Sequence, residues 1–432
     1  MSTEANFKKK GMLPLEEGKE INVDADVIEI SAEEEAELRR TPVRIPERRE
    51  VVQEFLMNAA TQASYEHPAV NEDAHLIVPH LGIAGVFDGM GAVPAGDYAS
   101  DAAKLELTAA QINKRTSEAK TTEEHQKSGL IKKVFGSSIE TPLEQEEVEA
   151  AMDAMLWRMN NEVERLSETT PIVRDKAIEY FNKNLRKNHG EFNEMDEEHK
   201  RLLKKILRGI GCTASVMKMW QGKDGTDRVT IGHIGDSRIY RLRAGKLERL
   251  TRDDSQINVL VEMDFRDIHG KPINEADVTQ ELSKEALFDL DTDTYPVLEN
   301  LLPSLVGIPG KTVTLAQIRH SITQAIGGAS QQREDFQGKL EFKPQIRTEK
   351  MEDDDIYLDV CDGISDNLTD EEIQKIALAN IHHPELIPQK LIEAALARSM
   401  DKNHPRSKPD DMTAAIARYK KRNRIIQDKI KK

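Results

Sequence analysis

The stretch Ile83-Ala84-Gly85-Val86-Phe87-Asp88-Gly89-Met90-Gly91 decides how the rest of the chain is read. Ile83 to Phe87 is apolar and β-prone, which predicts a buried strand. The strand then breaks into Asp88-Gly89-Met90-Gly91. A carboxylate at the end of a rigid strand loses few rotamers when it is fixed. The glycine beside it lets a carbonyl turn toward the same point. Side-chain and backbone oxygens on one short turn suit a hard divalent cation, Mg²⁺ or Mn²⁺. The same residues also suit an ordinary Asp-Gly turn, so this stretch alone does not choose between the two.

Other acidic stretches bear on that choice. Asn71-Glu72-Asp73-Ala74 lies one strand-length upstream, and Asp362-Gly363 ends the apolar run 355–361. Pro409-Asp410-Asp411-Met412-Thr413 directly precedes a strand-like run, 413–419. Each places an aspartate at the edge of a predicted strand. Converging carboxylates repel one another unless a cation neutralises them. Two clustered divalent ions would account for all of these stretches.

These residues, with Gly211-Cys212-Thr213-Ala214 and Gly235-Asp236-Ser237-Arg238 between them, run in the order of a known family. The chain resembles PPM-type metal-dependent serine/threonine protein phosphatases (protein phosphatase 2C-like), and Met90 resembles the bacterial members. The resemblance covers roughly residues 60–418 and stretches over two long inserts. It implies an α+β fold, two packed and mostly antiparallel sheets flanked by helices in an αββα sandwich. It also implies that Asp88 bridges two Mn²⁺ or Mg²⁺ ions and that Gly89 lends its carbonyl. Asp362 and Asp410 then hold the first ion, and Glu72 and Asp73 hold the second, directly or through water. Asp236 helps to hold a third, weaker ion. Asp88, Asp362 and Asp410 are the catalytic set, and the attacking group is a metal-activated water rather than a side chain. Phosphorylated proteins are the implied substrates, hydrolysed at phosphoserine and phosphothreonine.

One departure stands out. Most members carry an arginine that clamps the substrate phosphate where this chain has Pro68. His67 beside it is the candidate phosphate contact, without arginine's bidentate fork. Met90 cannot donate a proton, so a water is the expected general acid. A second reading therefore stays open, a catalytically weak phosphatase-like module that regulates a partner or binds phosphoproteins.

The net charge of −16 over 432 residues argues against nucleic acid or an anionic membrane as the main partner. Two cysteines, Cys212 and Cys361, exclude a disulfide framework and suit a reducing, cytoplasmic setting. No apolar run reaches membrane-spanning length, and no signal-peptide core follows Met1. The expected organisation is an acidic, disordered arm at 1–48, a phosphatase domain at 50–418 and a basic tail at 419–432, read as a solvated helix end. Within the domain, 95–114 and 143–166 read as helices, the second with a methionine stripe that packs on a sheet. Residues 116–142 read as polar and irregular, followed by shorter helices near 175–187 and 195–208. Strands are expected at 213–220 and 228–234, with a hairpin over Ala244-Gly245. Residues 252–325 form the flap, and 322–327 read as a short helix returning to the core. Thr369 and Glu372 form a capping box, and 388–398 is a further helix. The helical insert at about 116–205 and the flap are where a regulatory partner is expected. Asp359, in the middle of the strand 356–361, needs a partner that the sequence does not name.

Overall fold

The computed structural model describes residues 48–90, 95–111, 122–290, 305, 308–319, 321–327 and 342–426. The expected 1–48 arm lies outside the described residues except for Arg48, which opens a strand. Val51–Asn423 form one compact unit, and residues 1–50 with 424–432 form another, described only at its strand ends.

Apolar and alternating segments pair into two main sheets. One has the order Arg48–Gln62, Met412–Ile426, Ile356–Val360, Arg238–Arg243, Lys246–Arg249. The other runs Ile326–Gly327, Gly211–Cys212, Ile83–Met90, Ala214–Gly222, Asp227–Ile234, Gln345–Lys350. Asp73–Val78 pairs with Ile83–Met90 as a branch of this sheet. Ala84, Met217, Met219, Val229 and Ile231 meet Ile239, Tyr357, Ala417 and Tyr419 in a buried layer between the sheets. The helices Gly96–Gln111 and Gln145–Thr169 cover one outer face, joining Leu107, Met152, Met155 and Met159 to Ile83, Phe87 and Val216. Asp370–Ala379 and Ile387–Ser399 cover the other, through Ile373, Leu391 and Ala395 against Leu242, Leu358 and Ile416. This is the expected α+β sandwich, and the methionine stripe packs on the sheet as its spacing predicts.

Asp359 finds its partner across the sandwich. Ser215 Oγ, on the facing sheet, donates to Asp359 Oδ1. Complete burial pushes the Asp359 carboxyl well above its ordinary range, with Ser215 opposing the shift. A neutral acid hydrogen-bonded to a hydroxyl is far cheaper to bury than a bare carboxylate.

The structure differs from the sequence reading in three places. Residues 116–142 are not irregular throughout, because Thr122–Phe135 is a helix whose last turns bury Ile131, Val134 and Phe135. Residues 322–327 make no helix. Ile326–Gly327 instead pairs with Gly211–Cys212. Over its described residues, 419–426, the basic tail is strand and not a helix end, because the strand that begins at Met412 continues to Ile426. In both latter cases an available sheet edge supplies backbone partners, and tertiary pairing overrides local preference.

The flap contains a short helix, Gln256–Glu262, and a two-stranded sheet, Glu281–Ser283 with Thr312–Thr314. It buries a core of its own, including Ile257, Leu260, Leu282, Leu287, Leu315 and Ile318.

Candidate metal centre

The centre begins with a register. The tight connection at Pro79–Leu81 pairs Val78 with Ile83, and counting outward pairs Asp73 with Asp88. Two aspartates directly opposite on one sheet face are destabilising in isolation. Their ligand atoms and the Cys361 Sγ all lie within 4.8 Å of one another. Both Asp73 carboxylate oxygens are buried with no hydrogen-bond partner among the described residues. Thr413 and the Cys361 thiol lean toward Asp73 without a well-formed hydrogen bond. Burial, with the charges of Asp411 and Asp410 adding to it, pushes the Asp73 carboxyl well above its ordinary range. Asp88 shifts the same way, through burial and then Asp73, Asp362, Asp410 and Asp236.

Two backbone clamps hold this pair. Thr213 N donates to the Asp88 carbonyl at 2.8 Å, and Asp88 N donates to Thr213 Oγ1 at 3.1 Å. Thr213 Oγ1 also meets Ser237 Oγ at 2.7 Å, which ties in the Gly235-Asp236-Ser237 turn. Gly89 N donates to the Glu72 carbonyl at 3.1 Å. A Cβ on Gly89 would fall on that carbonyl and on the Gly96 backbone, so only glycine fits. The Glu72 carboxylate accepts from Gly96 N at 3.1 Å, at the start of the Gly96–Gln111 helix, where a helix N-terminus favours negative charge.

Asp362 opens a short helical turn, Asp362–Ser365, directly after the strand Ile356–Val360 and Cys361. Burial, with Asp410 and Asp366 adding and Lys408 opposing, pushes Asp362 up to about 6. Asp236 is buried, and burial followed by Asp362 raises it well above its ordinary value. Asp410 is about one-third exposed and lies 3.0 Å from Lys408 Nζ.

The remaining candidate stands at the rim. His67 Nδ1 is 3.1 Å from the Val70 carbonyl and 3.7 Å from Asp411 Oδ1, and its side chain is 45% exposed.

Sequence reasoning missed several contributors. Asp411 is a girder: its Oδ1 accepts from Ser64 N and its Oδ2 from Glu72 N, both at 2.6 Å. Gly363 accommodates the Asp411 carbonyl, onto which a Cβ would fall directly. Asp366, one helical turn after Asp362, meets Lys408 at 3.0 Å and the flap's Arg319 at 3.3 Å. Beside Asp236 and Asp362 a pocket opens toward the flap, lined by Arg238, Asp253, Arg319 and Arg406 among others. The spacing Asp362…Asp366 was a signal for this arrangement.

The donor set fits a hard divalent cation. Orphaned, buried carboxylate oxygens facing a second carboxylate are what such an ion satisfies. The class defined by fold and site is therefore an αββα sandwich with a carboxylate-rich metal-centre candidate at the ends of its strands.

No protein-family model matches the sequence, and no curated protein matches it. Similar solved structures include PPM-type serine/threonine phosphatases. The serine/threonine phosphatase PstP/Ppp of Mycobacterium tuberculosis is 20% identical, with a TM-score of 0.47 over 85% of this chain and 99% of that one. The PPM Ser-Thr phosphatase MsPP of Mycobacterium smegmatis, in complex with cacodylate, is 17% identical, with a TM-score of 0.45 over 84% and 97%. The catalytic domain of PstP in complex with 2 manganese ions is 18% identical, with a TM-score of 0.43 over 86% and 100%. Among the described residues no helix is long and apolar enough to cross a membrane.

Proposed function

We propose that this chain is a metal-dependent phosphoprotein phosphatase that hydrolyses phosphoserine and phosphothreonine with the help of two Mn²⁺ or Mg²⁺ ions. The observation that carries the reading is the Asp73–Asp88 pair, opposite in register, with both Asp73 oxygens buried and unpartnered. Asp88, Asp73, Glu72 and the Gly89 carbonyl would hold one ion, and Asp88, Asp362 and Asp410 the other, with Asp236 toward a third. Bound divalent ions would neutralise phosphate charge and supply a nucleophile from water at neutral pH.

The chain's own residues position the rest. Asp411 fixes the backbone before Glu72, and Thr213 fixes the backbone of Asp88. The Cys361 thiol accepts from Thr413 N at 3.0 Å, is buried and has its pKa pushed up by that burial, so it does not serve as a nucleophile. His67 keeps Nε2 to offer a phosphate oxygen, because its Nδ1 faces Val70 and Asp411. The flap and the helical insert are the surfaces for phosphoprotein choice and for a regulatory partner, in a cytoplasmic setting.

The second reading, a catalytically weak phosphoprotein-binding module, is favoured by Pro68 in place of an arginine and by Lys408 beside Asp362 and Asp410. One experiment separates the two. The full chain is assayed on an aryl phosphate and on phosphoserine and phosphothreonine peptides, with Mn²⁺ and after chelation. Metal-dependent turnover supports the enzyme. Peptide binding without turnover in either condition supports the module.

A further inference from the structure

The two halves of the centre are not alike. Around Asp73 and Asp88, no cation among the described residues reaches the Asp73 oxygens, which have no hydrogen-bond partner there. Around Asp362 and Asp410 it supplies its own. Lys408 Nζ contacts Asp362 Oδ2, and it lies 3.0 Å from both Asp366 Oδ2 and Asp410 Oδ2. The ammonium donates to Asp362 and stands in charge contact with the other two carboxylates.

This lysine is placed rather than loosely attracted. Lys408 N donates to Asn367 Oδ1 at 3.1 Å, and Asn367 Nδ2 donates back to the Lys408 carbonyl at 2.8 Å. The same Nδ2 reaches the Gly363 carbonyl at 2.9 Å. Asn367 is completely buried, and Pro409 stiffens the chain between the lysine and Asp410. The side chain is 19% exposed. Its anchor is rigid, but its four-carbon stem is flexible, so the ammonium can withdraw without unfolding its surroundings.

We propose that the Lys408 ammonium is an internal occupant of the seat shared by Asp362 and Asp410, which makes metal loading sequential. A first divalent ion enters at Asp73 and Asp88. A second enters only by displacing Lys408, and therefore binds more weakly. This rests on the metal-centre reading given above. Lys408 thereby sets the metal concentration at which the centre becomes dinuclear.

The test is Mn²⁺ titration of the full-length chain, followed by calorimetry and by electron paramagnetic resonance. Wild type should bind one ion tightly, with a mononuclear six-line spectrum, and a second at least about tenfold more weakly. Lys408→Met keeps the bulk of the stem and removes the charge. It should tighten the second event by about tenfold or more and bring in the broadened, coupled spectrum at lower Mn²⁺. Lys408→Arg, which keeps the charge, should leave the second event weak. Two equally tight ions in wild type would overturn the proposal, and that measurement does not depend on any variant folding. An unchanged second affinity in Lys408→Met would overturn it as well. In both cases the metal centre itself would stand. Failure of wild type and variant alike to bind any Mn²⁺ would overturn the metal-centre reading and this inference together.

Discussion

Replacing Asp88 with asparagine should stabilise the metal-free protein, and the effect should grow with pH. The side chain accepts no hydrogen bond recorded among the described residues, and the Thr213 clamps are on its backbone, so asparagine loses no bond there. What it removes is a charge. Ligand atoms of Asp73 and Asp88 lie no more than 4.8 Å apart, so two full charges there repel by about 3 kcal/mol at an effective dielectric constant of ~20. At ~2 cal/mol/K of unfolding entropy per residue over the unit Val51–Asn423, relief of that repulsion raises Tm by about 4 °C. The pH dependence follows from where the proton sits. Burial, and then Asp73, Asp362, Asp410 and Asp236, raise the Asp88 pKa in the folded chain. The folded state thus keeps a proton that the unfolded chain releases above its ordinary carboxylate pKa. Wild-type stability is therefore lost as pH rises toward and through the folded pKa, while asparagine has no proton to release. In chelator the two proteins should melt together below about pH 4, with the mutant higher by a few degrees near about pH 8.5. With free Mn²⁺ at ~100 times its Kd, wild type should gain about 2.7 kcal/mol and the mutant clearly less. Differential scanning fluorimetry at both pH values, with and without Mn²⁺, makes the comparison. A mutant that melts below wild type in chelator at the higher pH would refute the reasoning, as would an identical Mn²⁺ gain.

Other expectations concern the supports. Gly363→Ala drives a Cβ onto the Asp411 carbonyl and should cost at least about 1–3 kcal/mol in urea unfolding, with weaker Mn²⁺ binding. Asp411→Ala leaves Ser64 N and Glu72 N without their acceptor and should cost about 3 kcal/mol or more by the same measurement. A cost below about 0.5 kcal/mol in either variant would show that the local backbone relaxes freely. Cys212 and Cys361 are both completely buried, and burial pushes both thiols above their ordinary pKa. Neither should react with an aryl disulfide reagent in the native chain, and both should react after denaturation; rapid native modification would show that the strand ends open.

The stacking of two sheets into a sandwich was implied only by the family resemblance, whereas many of the strands and helices themselves were legible from period-two or continuous apolar patterns and from period-3.6 patterns. The stripe Val148, Met152, Met155, Met159, Val163 is such a case, and all of it is buried. The Thr369–Glu372 capping box was legible for the same local reason, and it forms. The strand at Ile326–Gly327 was not, because two residues carry no period and gain their partners only from Gly211–Cys212. At the site, Asp73 and Asp88 were legible as strand-edge carboxylates, and the structure places them opposite one another. The structural duty of Asp411 was hidden, because its partners Ser64 and Glu72 are more than three hundred residues away in sequence. Lys408 was hidden for a similar reason, since a lysine near an aspartate in sequence is ordinarily a solvated side chain. Only the meeting of the loops that carry Asp362, Asp366 and Asp410 gives it its place.

The central claim is that the Asp73–Asp88 pair is one half of a divalent-metal centre. The most direct measurement is the anomalous scattering of a Mn²⁺-soaked crystal of the full chain, collected on both sides of the manganese edge. The account expects a manganese peak within about 2.5 Å of carboxylate oxygens of both Asp73 and Asp88, at ordinary metal–oxygen distances. A crystal with manganese only at other carboxylates, or none at saturating Mn²⁺, would contradict it.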